Sequence, residues 1–151
     1  LEIVTLPDPR LRLHAIEVRE VTDELRDLAR LMLKTMWAAP GIGLAANQVG
    51  RRESLIVIDP PRRHGSEAYV MFNPEITDRR GEMRWAQESC LSAPGRSCRV
   101  PRHEMVTVRY MTGLGTLRQV EAAGDLADVI QHECDHLAGV LITARRRLGG
   151  V

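Results

Sequence analysis

The feature that most constrains this chain is a spacing of four between two histidines in Gln131-His132-Glu133-Cys134-Asp135-His136. On a helix, residues four apart share one face, one turn above the other. Both imidazoles can then grip a single metal ion, while Glu133 projects close beside them, within reach of a water at the ion. H-E-x-x-H is therefore a metal-hydrolase signature with a mechanical reason behind it. The same spacing also occurs on ordinary solvated helices, so the rest of the chain has to decide between the two.

The residues after the motif are the first test. Zinc proteases of this signature take a third ligand downstream of the second histidine. Residues 137–151 contain no His, Glu, Asp or Cys. The third ligand is expected upstream, and the ordinary zinc-endopeptidase reading is set aside.

Length and composition bound the rest. A chain of 151 residues is expected to form one domain, residues 1–151, with a core that needs no staples. Its 44% hydrophobic and 27% charged residues are those of a globular protein, and at 3% aromatic the core must rest on aliphatic side chains and Met. A net charge of +1 gives no general pull towards DNA or anionic membranes. No apolar run reaches the roughly 20 residues of a membrane span, and no secretory signal opens the sequence. Three cysteines make no disulfide framework, and one looks wanted as a thiolate. A reducing cytoplasmic compartment is expected, or an organelle if a targeting segment preceded Leu1.

Along the chain, Leu1 to Val18 reads as extended chain laid over a core. Thr22 offers an N-cap with Asp23 and Glu24 in the first turn. Leu25, Leu28, Met32 and Met36 then follow at helical spacing until Pro40-Gly41. Ser54 to Ile58, Ala68 to Asn73 and the stretch from Glu82 read as separate strands. Asp59 to Glu67 is expected as a solvated loop. Val106, Val108 and Tyr110 alternate into a turn at Thr112–Gly115 and on to Leu117–Ala122, a hairpin. Asp125 to Ala138 is the second long helical pattern, closed by Gly139, and Val140 to Ile142 is expected as a last strand. The class is α+β.

For the upstream ligand the candidates are His14, His64, His103, Cys90, Cys98 and several carboxylates. His64 falls in the loop and His14 near the terminus, where solvated surface is the expectation. A thiolate at Cys90, in Gln87-Glu88-Ser89-Cys90-Leu91-Ser92, would complete a Cys-His-His set with a fourth position open for water. Composition does not separate Cys90 from Cys98, and either alone is more often a small buried hydrophobe.

Three segments in order, Gly41–Gln48 (G-I-G-L-A-A-N-Q), Glu88–Ser92 (E-S-C-L-S) and His132–His136 (H-E-C-D-H), resemble the three motifs of the peptide deformylases. The resemblance spans almost the whole chain. It implies the fold of that family, with small mixed or antiparallel sheets around a C-terminal metal-binding helix. It also implies one divalent metal per chain, generally Fe(II) with Zn, Ni or Co substituting, held by Cys90, His132 and His136. The substrate implied is the N-formyl group on the initiator methionine of a nascent polypeptide. A water activated by the ion and by Glu133 would attack the formyl carbon. The oxyanion would be met by the ion, the Gln48 amide and the Leu91 backbone N–H. Glu133 would pass its proton to the leaving amine, releasing formate. Ile42 and Gly43 would hold the peptide in strand fashion, with Ser89, Asp128 and Val129 also lining the substrate site. Arg102 would tie down Glu88 or Asp135 behind the ligands, the bland alternative being a surface ion pair. Cys134 is expected to pack in the core.

The chain departs from the family pattern in three places. Ser89 stands where Gly is usual, a substitution that disfavours positive φ. Asp125 and Asp128 occupy positions that are apolar in many members and line the methionine pocket. Asp125 has an ordinary explanation as helix N-cap or first-turn acid, whereas Asp128, one turn before His132, suggests altered preference at the first residue. Finally, little follows Ile142, so the C-terminal helix with which bacterial members dock on the ribosome is expected to be short or absent, and Arg145-Arg146-Arg147 to be a solvated tail. The competing reading, a protein that binds formylated N-termini without turnover, predicts a lost ligand or base, yet all are present.

Overall fold

The computed structural model describes residues 1–60 and 67–145. The expected loop residues 61–66, with His64, and Arg146 and Arg147 lie outside the described residues.

Helix α1, Asp23–Ala38, begins where expected. The Thr22 Oγ1 accepts from the Leu25 N–H at 3.3 Å, and Asp23 and Glu24 face the positive end of the helix dipole. Leu28, Ala29, Met32 and Met36 form its buried stripe, and the helix ends as the Gly41 N–H turns back to the Met36 carbonyl. Five strands follow: β1, Gly43–Ala45; β2, Leu55–Ile58; β3, Tyr69–Ser89; β4, Ser97–Met111; and β5, Leu117–Ala123. They form one antiparallel sheet in the order β1-β2-β3-β4-β5. The α+β class holds, with a single sheet rather than several among the described residues.

Strand β2 shows how the layers are arranged. All four residues are buried, and alternation sends Leu55 and Val57 to one face and Ile56 and Ile58 to the other. The first pair packs with Leu44, Phe72 and the α1 stripe. The second packs with Met71, Val106, Val108 and the inner face of α2, Gly124–Leu137, through Ala127, Val129 and Ile130. The sheet is thus sandwiched between α1 and the helix carrying both histidines. Each such buried aliphatic side chain contributes about 1.5–3 kcal/mol.

Two expectations need correction. The two stretches read as separate strands are one, β3, because both pair with β4 and the irregularities between them are absorbed as register shifts. Asn73, at φ 50, and Pro74 mark the first shift; the Asn73 side chain bonds the backbone N–H and carbonyl of Val18 at 2.8 and 2.7 Å, which holds the bend. Residues 77–81 are polar or glycine throughout, so no alternation joined the two stretches in the sequence. Secondly, Val140–Ile142 is not a strand. The chain reverses at Gly139, φ 75, and the Val140 N–H goes to the Asp135 carbonyl, so it is not available to a ladder. Ile142–Arg145 then forms a short helix, α3. Of the two roles open to Asp125, it takes that of first-turn acid; Ala123 is the N-cap, without a side-chain bond.

The N-terminal segment does lie over the core. Its Val4 N–H reaches the Gln48 carbonyl at 2.7 Å and its Leu6 N–H the Ser92 carbonyl at 2.8 Å, stapling together two of the motif segments.

Candidate metal centre

The Cys90, His132 and His136 side chains converge although 46 residues separate the cysteine from the second histidine. Helix α2 places both rings on its sheet-facing side, and Cys90 follows directly after β3. His136 Nε2 lies 3.3 Å from Cys90 Sγ and 3.2 Å from His132 Nε2, and the three donor atoms all fall within 4.8 Å of one another. All three residues are buried.

Glu88 orients the set. Its Oε1 accepts from His132 Nδ1 at 2.9 Å, which turns Nε2 towards the cysteine and the other histidine. Arg102, only 3% exposed, holds Glu88 with two bonds of 2.8 Å and Asp135 with one of 2.7 Å. It binds both carboxylates rather than one, and the surface-pair alternative fails on burial. Burial works to raise the Glu88 carboxyl, but the hydrogen bonds from Arg102 and His132 outweigh it and hold the group at about 2. Asp135 also accepts from Arg145 Nε at 2.7 Å.

Three lone-pair-bearing atoms so close together require a cation, a proton or a metal, between them. In proton terms that requirement appears on His132: burial disfavours its charge, yet Cys90 and Glu88 raise it to about 10. His136 goes the other way, well below its usual value, through burial and the charges of His132 and Arg102. Burial likewise pushes Glu133 up to about 7 against the pull of His132. Its Oε1 is 3.8 Å from His132 Nε2, and its Oε2 is buried with no hydrogen-bond partner among the described residues.

Gln48 enters from the turn after β1. Its Oε1 accepts from the Ala45 N–H at 2.9 Å, which fixes the amide's orientation. Its Nε2 then points at Ser92 Oγ, 3.1 Å, and Cys90 Sγ, 3.6 Å. The neighbouring Asn47 donates to the His136 carbonyl, tying this turn to the end of α2.

A cavity of about 650 Å³ opens onto these groups. Ile42, Gly43, Ser89, Leu91, Asp128 and Val129 all line it, as does Asp125. Gly43 leaves these side chains their room: a Cβ would lie 2.7 Å from Glu133 Oε1 and 2.9 Å from Val129 Cγ1, so both would have to shift. Ser89 costs nothing, because Asn73 alone among the described non-glycine residues has positive φ.

A family model for polypeptide deformylase matches residues 1–148. The chain belongs to the polypeptide deformylase family. It is 46% identical over 148 residues to a peptide deformylase of Syntrophobacter fumaroxidans, covering 96% of this chain and 85% of that protein. Among solved structures, the peptide deformylase of Synechococcus elongatus in complex with actinonin superposes with a TM-score of 0.94 at 44% identity, covering 98% of this chain and 81% of that one. That of Thermotoga maritima does so at 0.90 and 36% identity, covering 97% of each chain. The family's enzymes are metal-dependent hydrolases of protein synthesis that remove the formyl group from N-formylmethionine of nascent polypeptides, and this chain is one of them. No helix among the described residues is long and apolar enough to cross a membrane.

The structure brings together every residue that the three motif segments nominated for the pocket, and leaves out the other histidines. His14 is exposed and only its carbonyl is engaged, by Arg52. The backbone of His103 bonds the Gln131 side chain. Cys98 is buried among apolar neighbours, and Cys134 packs against the α2 core, its thiol pushed up to about 12 by burial and by Asp135 and Glu133. Sequence reasoning missed Ser92 as the partner of Gln48, although it stands in the motif. It also missed Arg145 on Asp135 and Arg84 on Asp128, pairings between distant segments that no local pattern signals.

Proposed function

We propose that Cys90, His132 and His136 hold the one divalent ion of this deformylase, iron(II) in the native enzyme, with zinc, nickel or cobalt able to replace it. The observation that carries this reading is the convergence of three buried donor atoms within 4.8 Å. The donor set fits: Glu88 fixes the His132 tautomer, and a thiolate with two imidazoles would hold a catalytic divalent ion with three protein ligands. When bound, the ion supplies Lewis-acid activation of water and of the formyl oxygen.

The chain's residues do the rest. Glu133, whose Oε1 lies 3.8 Å from His132 Nε2, takes the proton of the attacking water on its carboxylate and delivers it to the amine nitrogen as the C–N bond breaks, so that formate and a free N-terminus leave. The Gln48 Nε2–H, oriented through Ala45, and the Leu91 backbone N–H stabilise charge developing on the formyl oxygen. Strand β1 is an edge of the sheet; the Ile42 carbonyl is taken by the Asp59 N–H at 2.9 Å, and the outer edge of the strand at Ile42 and Gly43 is offered to an extended peptide as one more strand. Ser89, Asp128 and Val129 line the space for the first side chain. Arg102, Glu88 and Asp135 hold the ligands from behind.

The work of this one-domain enzyme is placed in the cytoplasm at nascent chains leaving the ribosome, where such substrates arise. The test is anaerobic purification, metal analysis and formate release from formyl-Met-Ala-Ser. One metal per chain and formate release are expected. Glu133→Gln should keep the metal and lose activity by about 10²-fold or more, and Cys90→Ala should lose the metal. Metal retention in Cys90→Ala would refute the ligand assignment.

A further inference from the structure

The wall of the substrate cavity formed by α2 is not apolar throughout. Going back from His132, Val129 and Asp128 stand about one turn away, and Asp125 lies about 10 Å along the axis; all three line the cavity. A first-residue side chain running from the reaction centre along this helix meets Val129 with its stem and Asp128 with its tip. Asp128 is mostly buried, and both its oxygens accept from one nitrogen of Arg84, Nη2, at 3.0 and 3.1 Å. Arg84 comes from β3, is 40% exposed, and is not among the residues lining the cavity. It therefore stands behind the carboxylate, holding it in place and leaving further lone pairs of Asp128 directed at the pocket. Asp125, further out on the same wall, has no hydrogen-bond or ion-pair partner among the described residues and adds a second negative group.

We propose that Asp128, positioned by Arg84, makes the first-residue pocket a mixed site that admits an unbranched side chain with a hydrogen-bond-donating tip, as in lysine or glutamine, on a par with methionine. The apolar stem is accommodated by Val129. The tip finds an acceptor that a thioether does not use. A desolvated carboxylate facing only a methionine side chain lacks that compensation, which costs the methionine complex and not the donor-tipped one. This inference rests on the deformylase reading and specifies its substrate range.

The experiment compares kcat/KM for formyl-Met, formyl-Lys, formyl-Gln and formyl-Gly tripeptides of otherwise identical sequence, on the iron- or cobalt-loaded enzyme. The native protein should show methionine and lysine within about tenfold of each other. Asp128→Leu should raise the methionine-to-lysine ratio by about tenfold or more, and Arg84→Met, which removes the group that holds the carboxylate in place, should raise it less. Formyl-Gly carries no side chain to reach the wall, so its kcat/KM serves as the reference for both variants. A native preference for methionine above about a hundredfold, or a ratio unmoved by Asp128→Leu, overturns the inference while leaving deformylation intact. No formate from any peptide, formyl-Gly included, overturns the deformylase reading itself.

Discussion

Replacing Arg102 with methionine keeps much of the side-chain volume and removes the buried cation that Glu88 and Asp135 share. Arg102 is almost fully buried and makes three charge-assisted bonds of 2.7–2.8 Å. Glu88 sits at about 2 in the fold against 4.5 for a free glutamate, a difference worth about 3 kcal/mol at most. His132 supplies part of that, and residual solvent screens the pair, so about 2 kcal/mol belongs to Arg102. The stranded Asp135 adds a further loss, moderated because Arg145 remains at 2.7 Å. The expected destabilisation is about 3 kcal/mol at pH 7, within the usual range for breaking a buried pair.

The pH dependence follows from the sign. A carboxyl depressed in the fold contributes stability that is present above about 4.5 and is lost as pH falls from there through about 2. The gap between the native protein and Arg102→Met should therefore narrow below pH 4. Urea unfolding of both proteins at pH 7 and pH 3, with chelator present so that metal binding does not contribute, measures it. A loss below about 1 kcal/mol, the value for an exposed pair, or a gap that does not change with pH, would refute the reasoning.

Gly43→Ala should fold but release formate at least about tenfold more slowly, because its Cβ would stand 2.7 Å from Glu133 Oε1; a kcat equal to that of the native enzyme would show that Glu133 can move aside freely. Met32→Ala, at a fully buried position between α1 and the sheet, should lower unfolding stability by about 2–5 kcal/mol in urea titration, with kcat/KM for formyl-Met substrates little changed.

Helix α1 was legible because cap, first-turn acids and apolar spacing agree from Thr22 to Met36. The helix with His132 and His136 and the β4–β5 hairpin were legible for the same reason: the periodicity and the turn residues lie within one local window. The middle of strand β3 was not, since residues 77–81 are polar or glycine throughout and extend only because β4 pairs with them. Ser89 raised a concern about positive φ that its backbone does not bear out, because φ at that position depends on how the chain leaves the sheet.

By itself the sequence determined the chemistry available. Two histidines at helical spacing with a glutamate between them, a cysteine segment and a glutamine after a glycine turn specify ligands and a proton carrier, because helix geometry sets those distances locally. The resemblance of the cysteine segment already pointed to Cys90 rather than Cys98; the tertiary structure put its Sγ 3.3 Å from His136 Nε2 and decided that Arg102 serves Glu88 and Asp135 together. It alone showed that Asp128 faces the cavity with Arg84 behind it. Each of these depends on strands and helices distant in sequence packing against one another, and the sandwich of the sheet between α1 and α2 is what fixes the distances.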